Sequence, residues 1–253
     1  MTGVQDPVGE VRALVAVLRR HFGADLATID ADGIAALQAE LRRVTSWGGA
    51  EGAEARWQDA CIAEAIPPRV SVLDLGCGAG DLLAGLMAQK DVRGQGVELN
   101  QDQVVACVAQ GVPVLQADID EGLKGFSDKS FDYVVLEETL QTLHRPLTVL
   151  EEMLRVGTVG IVTFPNFASW RVRLDLLVSG RMPTTSRLPH EWHSTPNIHH
   201  LTIADFLDWC PANDVEVVDG RVLVDGDVRP YQDGDNLLAT EALFFIRRNS
   251  DSG

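Results

Sequence analysis

The run Asp74-Leu75-Gly76-Cys77-Gly78-Ala79-Gly80-Asp81 is the part of the chain whose residue types and spacing point most directly to chemistry. Glycines let the main chain approach a ligand closely, and the amino end of a following helix favours an anionic group. The spacing is G-x-G-x-G, not the G-x-G-x-x-G of dinucleotide binders, and it lacks the G-K-[ST] of a P-loop. Asp74, just before the glycines, would repel a pyrophosphate and suits an ammonium group. A methionine-like zwitterion meets both conditions, with its carboxylate toward the helix end and its amine toward Asp74. Downstream, Glu98, next to Leu99, can accept both hydroxyls of a ribose. Asp118 can accept an adenine amino group while Ile119 packs on the ring. Singly, these residues read as a tight strand–helix turn and two solvated loop acids; their recurrence at three successive strand ends favours a ligand site.

The elements that must position these residues alternate. Strands are predicted at 70–75, 94–99, 112–117, 131–136 and 160–164, with helices at 81–89, 101–110 and 147–156. Repeated strand–helix units of this length make a parallel sheet covered on both faces, with ligands beyond the carboxyl ends of its strands. The C-terminal part reads as a helix at 203–210 and strands at 215–218 and 243–247, one of them antiparallel because only a loop separates them. Before Pro67-Pro68 the pattern is helical. Val11, Leu14, Val15, Leu18 and Phe22 share one face, Ile34, Leu37, Leu41 and Val44 another, and a third helix is expected over 51–65. The expected division is a helical extension, 1–66, and an α/β domain, 67–253, with a cap inserted at about 165–200.

The 253 residues carry 37 acidic against 21 basic side chains, a formal charge of −16. That balance argues against a nucleic-acid or anionic-membrane partner. Cys61, Cys77, Cys107 and Cys210 form no C-x-x-C pair, so neither a zinc nor a disulfide framework is expected. No basic segment leads into an apolar N-terminal core, and no apolar run has the length of a membrane span, so the expected location is cytoplasmic.

The glycine loop and the acids after it resemble the class I S-adenosylmethionine-dependent methyltransferases over about residues 69–248. That resemblance implies a doubly wound, mostly parallel, seven-stranded Rossmann-like sheet with an antiparallel last strand. It also implies S-adenosylmethionine or S-adenosylhomocysteine as ligand of Asp74, Gly76, Cys77, Gly78, Gly80, Glu98, Leu99, Asp118 and Ile119. A narrower resemblance rests on Asp118-Ile119-Asp120-Glu121-Gly122-Leu123, Phe164-Pro165-Asn166-Phe167, Gly180-Arg181-Met182-Pro183 and Thr195-Pro196-Asn197-Ile198-His199. These runs are similar to the methionine-biosynthesis protein W (MetW) family. Membership implies a role beside homoserine O-acyltransferase, whose activity such proteins support, and no known methyl acceptor.

The chain departs from the family pattern in three places. The helical extension is additional, and can serve as a lid, a docking surface or a contact between copies of the chain. Glu137-Glu138 stands after the fourth strand where relatives tend to carry neutral residues; either carboxylate can act as a general base, bind an amine or be a solvated loop charge. His190 and His193 replace tyrosines, and with His199 and His200 make a local cluster. It lacks cysteines and a helix to fix ligands, so it reads as pocket wall and no metal is expected. Arg171, Arg173, Arg181 and Arg187 in the same stretch can bind an anion or an acidic partner, or pair with the acidic body. Trp170, Arg171, Arg181, Trp192 and His199 are the expected partner or substrate contacts. Two functions fit: an accessory subunit that activates homoserine O-acyltransferase, or a methyltransferase acting on a small molecule or protein. No Asn/Asp-Pro-Pro-Tyr run follows the fourth strand, which disfavours a nucleobase substrate.

Overall fold

The computed structural model describes residues 56–185 and 188–249, together with Ala16 and Arg20. The helices expected before residue 56, and Arg187, lie outside the described residues. The elements in chain order are α1 (Trp57–Ala65), β1 (Ser71–Leu75), α2 (Asp81–Lys90), β2 (Arg93–Glu98), α3 (Gln101–Ala109), β3 (Val114–Gln116), β4 (Phe131–Leu136), α4 (Pro146–Val156), β5 (Gly157–Pro165), α5 (Trp170–Ser179), α6 (Ile203–Ala212), β6 (Val215–Val224), β7 (Asp227–Pro230), α7 (Asp235–Leu238) and β8 (Glu241–Arg248).

The strands form one sheet in the order β3-β2-β1-β4-β5-β8-β6-β7. β1 to β5 pair in parallel, and β8 runs antiparallel to both β5 and β6. Because helices cover both faces, the central strands are apolar on both sides rather than alternating with polar residues. The side chains still divide by the period of two. Leu73, Leu75, Val134, Leu136, Val162 and Phe244 pack on the α4 and α6 side, where Leu150, Met153, Ile203 and Phe206 lie. Val72, Val135, Ile161, Leu243 and Phe245 pack on the other side, against Ile62 and Ile66 of the α1 segment and Leu82, Leu83 and Leu86 of α2.

Helix starts are fixed by short polar side chains. Asn100 accepts from the amides of Asp102 and Gln103 at α3, and Thr202 and Asp205 form a capping box at α6. Asp120 accepts from the amides of His144 and Arg145, just ahead of Pro146 in the first turn of α4. At the other end of α1, Lys90 Nζ donates to the carbonyl of Ala63 and, at 2.6 Å, to that of Ile66, placing a cation at a helix C-terminus.

The C-terminal part departs from the sequence expectation. β6 continues to Val224 instead of stopping at 218, because Asp219 and Gly220 do not turn but pair with Phe245 and Phe244, just past a bulge at Val218 in the β6–β8 register. The turn comes at Asp225-Gly226, and β7 adds an eighth strand as the second arm of a hairpin. α5, within the expected cap, was not anticipated as a helix; its buried residues are Trp170, Val172 and Leu174. No helix among the described residues is long and apolar enough to cross a membrane.

Candidate functional site

β1 lies between β2 and β4, so the connections leaving its carboxyl end diverge there and open a cleft. The glycine loop begins at that point. The amides of Gly76 and Cys77 donate to the carbonyl of Val97 at 2.8 and 3.2 Å, tying the loop to β2. Gly76, Gly78 and Gly80 have φ of +76°, +54° and +85°, a region that disfavours side chains. A Cβ at Gly76 would lie 2.7 Å from Thr139 Oγ1, so this glycine also allows the β4 loop to approach. A Cβ at Gly78 would meet nothing within 4 Å, leaving clear space beside the main chain for a ligand. Cys77 turns inward: its Sγ is 3.7 Å from that of Cys107, and burial pushes its thiol up. Its side chain contributes packing against Cys107.

Glu98 ends β2 with one carboxylate oxygen accepting the Gly78 amide at 2.9 Å and the other accepting the Asn100 amide at 2.8 Å. The residue expected to hold a ribose therefore also holds the glycine loop in shape. Leu99 beside it is 61% exposed and can cover a flat ring. Asp118 is exposed, and its Oδ1 accepts the Asp120 amide at 2.9 Å, leaving its other oxygen for a donor. Ile119 does not present a free face as expected; it is buried in the core with Leu73, Leu123 and Leu150.

The other wall is acidic. Asp74, at the end of β1, is buried, and burial pushes its carboxyl up to about 7; Arg56 opposes that rise while Asp59 and Glu98 add to it. Glu137 follows β4 and is also buried. Burial, outweighing the opposing pull of Arg56, holds its carboxyl well above the usual carboxylate range, and Asp59 and Asp74 reinforce the shift. Glu138 has φ of +47°, a conformation that costs a non-glycine residue about 1–3 kcal/mol. Thr163 Oγ1 holds it there, accepting its amide at 2.9 Å. α1 lies across this wall. Gln58 Nε2 donates to Glu138 Oε1 at 2.9 Å and to Glu241 Oε2 at 3.4 Å, and Trp57 Nε1 donates to Glu241. Arg56 Nη2 reaches Glu137 Oε2 at 3.2 Å, and Arg56 Nε lies 3.6 Å from Asp59 Oδ2.

Sequence reasoning missed Arg56, Gln58, Asp59 and Glu241. None belongs to a recognisable motif; the one available signal was an acid opening the last strand, Glu241, in an otherwise apolar run.

The cap residues separate. Arg181 and Trp192 are exposed and line a hollow of about 570 Å³ with Met182, Thr184 and Glu191. Trp170, expected on the same surface, is buried at 1% exposure, because it is the first residue of α5 and points into the protein. Arg171 stacks on Trp170, 4.9 Å from the ring, and pairs with Asp225 at 2.8 Å. It therefore takes the alternative left open for the arginines, pairing with the acidic body. His199 is exposed, and its amide donates to the Gln141 carbonyl at 3.0 Å, drawing the end of the cap to the β4 loop. Among the described residues, no three His, Cys, Asp or Glu side chains are arranged to hold a metal ion.

Comparison with known proteins places this geometry. The family model of the methionine biosynthesis protein MetW matches residues 56–246. The bifunctional methionine biosynthesis protein MetXA/MetW of Rhodopirellula baltica is 38% identical over 201 residues, 74% of this chain. The chain spans only 32% of that relative's length. Among solved structures, the TehB-like methyltransferase of Corynebacterium glutamicum superposes with a TM-score of 0.52 at 14% identity, covering 85% of this chain and 100% of the other. A methyltransferase of Aquifex aeolicus gives 0.52 at 16%, covering 83% and 97%. The [4+2]-cyclase SpnF gives 0.56 at 17%, covering 80% and 86%. At these identities the likeness establishes the fold, and the cyclase illustrates that this fold does not by itself fix an activity.

Proposed function

We propose, since the chain belongs to the methionine biosynthesis protein MetW family, that it is a cofactor-binding subunit that associates with a homoserine O-acyltransferase and raises its activity. The observation that carries this reading is the relative in which MetXA and MetW are joined in one polypeptide. We take MetXA to be the acyltransferase that the family resemblance implies. Two chains that work together gain effective concentration when fused. A cytoplasmic location goes with this role.

The ligand on this reading is S-adenosylmethionine or S-adenosylhomocysteine. The clear space at Gly78 and the buried acid at Asp74 fit such a group. The main chain of Gly76–Gly80 and the carboxyls of Asp74, Glu98 and Asp118 would hold it, with Leu99 against the ring. S-adenosylmethionine, when bound, supplies an electrophilic methyl group on a sulfonium.

The docking surface we favour is the exposed cap around Arg181 and Trp192, residue types that dominate interface hot spots. Copurification and acyltransferase assays test the proposal. The acyltransferase should bind the protein and gain activity, and Trp192→Ala should weaken the complex by about 2 kcal/mol while leaving S-adenosylhomocysteine binding intact. A second reading, methyltransferase, draws on the buried carboxyl of Glu137 at the β4 end beside Asp74. An acyltransferase indifferent to the protein, together with turnover of S-adenosylmethionine, would select it.

A further inference from the structure

We propose that the ends of β1, β4 and β8, roofed by α1, form a pocket for a small organic cation, an amine or a guanidine, next to the glycine loop. Asp59 of α1, Glu137 and Glu138 after β4, and Glu241 of β8 supply the acids, and Asp74 of β1, which faces the cofactor on the reading above, borders them. Its place beside the cofactor rests on the reading above; its charge preference does not.

Three observations give the pocket its chemistry. First, its wall holds buried acceptors that lack donors. Gln58 is 2% exposed and its amide lies against Glu138 and Glu241, yet its Oε1 has no partner among the described residues. Glu137 Oε1 and Asp59 Oδ1 are likewise buried and receive no N–H from the described residues, the one donor within their reach being a proton shared between the two carboxyls. A buried acceptor left without a donor costs about 1–3 kcal/mol, so a group rich in N–H donors is the complement. Second, the acids are held up by the fold. Glu138 sits at positive φ, and burial, outweighing the opposing pull of Arg56, presses Glu137 and Asp74 toward the protonated form. Glu137 and Asp59 lie within hydrogen-bonding reach of each other, so a single proton can serve both. Third, the chain's own cation at this place is loosely held. Arg56 touches Glu137 and Asp59 through one nitrogen each, at 3.2 and 3.6 Å, and its side chain remains 56% exposed. A bidentate fork would fix it; these contacts leave it displaceable. Its guanidinium shows what the pocket accepts. The carboxyls are not arranged for a metal ion among the described residues.

The test is calorimetric titration of the full chain with butylamine and butylguanidine, using butan-1-ol as the neutral control, with and without saturating S-adenosylhomocysteine. The cations should bind at least tenfold more tightly than the alcohol. At pH 7 their binding should release protons, read as a heat that changes with the ionisation enthalpy of the buffer. Glu137→Gln should lose tenfold or more. Arg56→Ala should bind the cations severalfold more tightly, which a merely structural role for Arg56 would not produce. If Glu137→Gln fails to fold, Glu138→Gln and Arg56→Ala decide. Equal binding of amine and alcohol, no binding of either, weaker binding by Arg56→Ala, or loss of the amine when S-adenosylhomocysteine saturates the protein would each overturn the proposal. Acyltransferase activation and S-adenosylhomocysteine binding are measured separately, so failure here leaves the functional reading standing.

Discussion

On the β2 side of the cleft the polar groups are mostly main-chain amides at fixed positions; on the β4 side they are side-chain carboxyls gathered from separate elements. Glu98 meets Gly78 across 20 residues of sequence, whereas Gln58 meets Glu138 across 80 and Glu241 across 183. The first wall needs only one strand–loop–helix unit and the next strand. The second needs the whole sheet and α1. A wall made of main chain accepts almost any side chains that leave its glycines alone, so it can be shared across a superfamily. A wall made of gathered side chains can differ in each branch.

Substitutions that attack one wall at a time sharpen the contrast. The largest effect is expected at Glu98. Glu98→Ala removes the acceptor for two loop amides as well as the expected ribose contact, and S-adenosylhomocysteine affinity should fall by about 2–4 kcal/mol in calorimetry. Unchanged affinity would mean that the main-chain wall is not the cofactor's. Next comes Gly76→Ala, which combines positive φ with the 2.7 Å approach to Thr139. Chemical denaturation should show a loss of about 1–3 kcal/mol.

The acidic wall should reveal itself through pH. The native carboxyl of Asp74 lies at about 7, above its unfolded value. The folded state therefore binds more protons in between, and stability falls as pH rises from about 4 to 7, by at most about 1.4 kcal/mol per unit for one group. Glu137 acts in the same direction. Asp74→Asn should flatten the profile of melting temperature against pH without abolishing it, and an unaltered profile would count against Asp74 as a contributor. The smallest effect is expected at Asn100, where Asn100→Ala removes the α3 cap. It should cost about 1 kcal/mol at every pH, a control that separates loss of structure from loss of charge.

The same contrast explains what could be read from the sequence. Asp74, the glycines and Glu98 stand at strand ends that hydrophobic pattern locates within a residue or two, and the main chain does the rest. Ile119 was misjudged because a residue after a strand can point either way, and only the packing of Leu123 and Leu150 decides. Gln58 and Asp59 were illegible: nothing local marks a glutamine in a short helix as facing Glu138 rather than water. Trp170 was expected at the surface of the cap because tryptophan suits a contact as well as a core, and only its place as the first residue of α5 turns it inward. The extra strand escaped because Asp219-Gly220 carries the composition of a turn while pairing with Phe245 and Phe244 of β8.

The position of β8 between β5 and β6 has a consequence for how the molecule assembles. β6 has no hydrogen-bonded contact with the parallel half except through β8, which comes later in the chain. Until β8 has been synthesised and inserted, β5 and the β6–β7 hairpin each present an open edge, and a nascent chain at that stage holds two surfaces able to pair with a neighbour. Glu241, the first residue of that same strand, holds Trp57 and Gln58. The strand that closes the sheet therefore also seats α1, and the acidic wall is completed only when the sheet is.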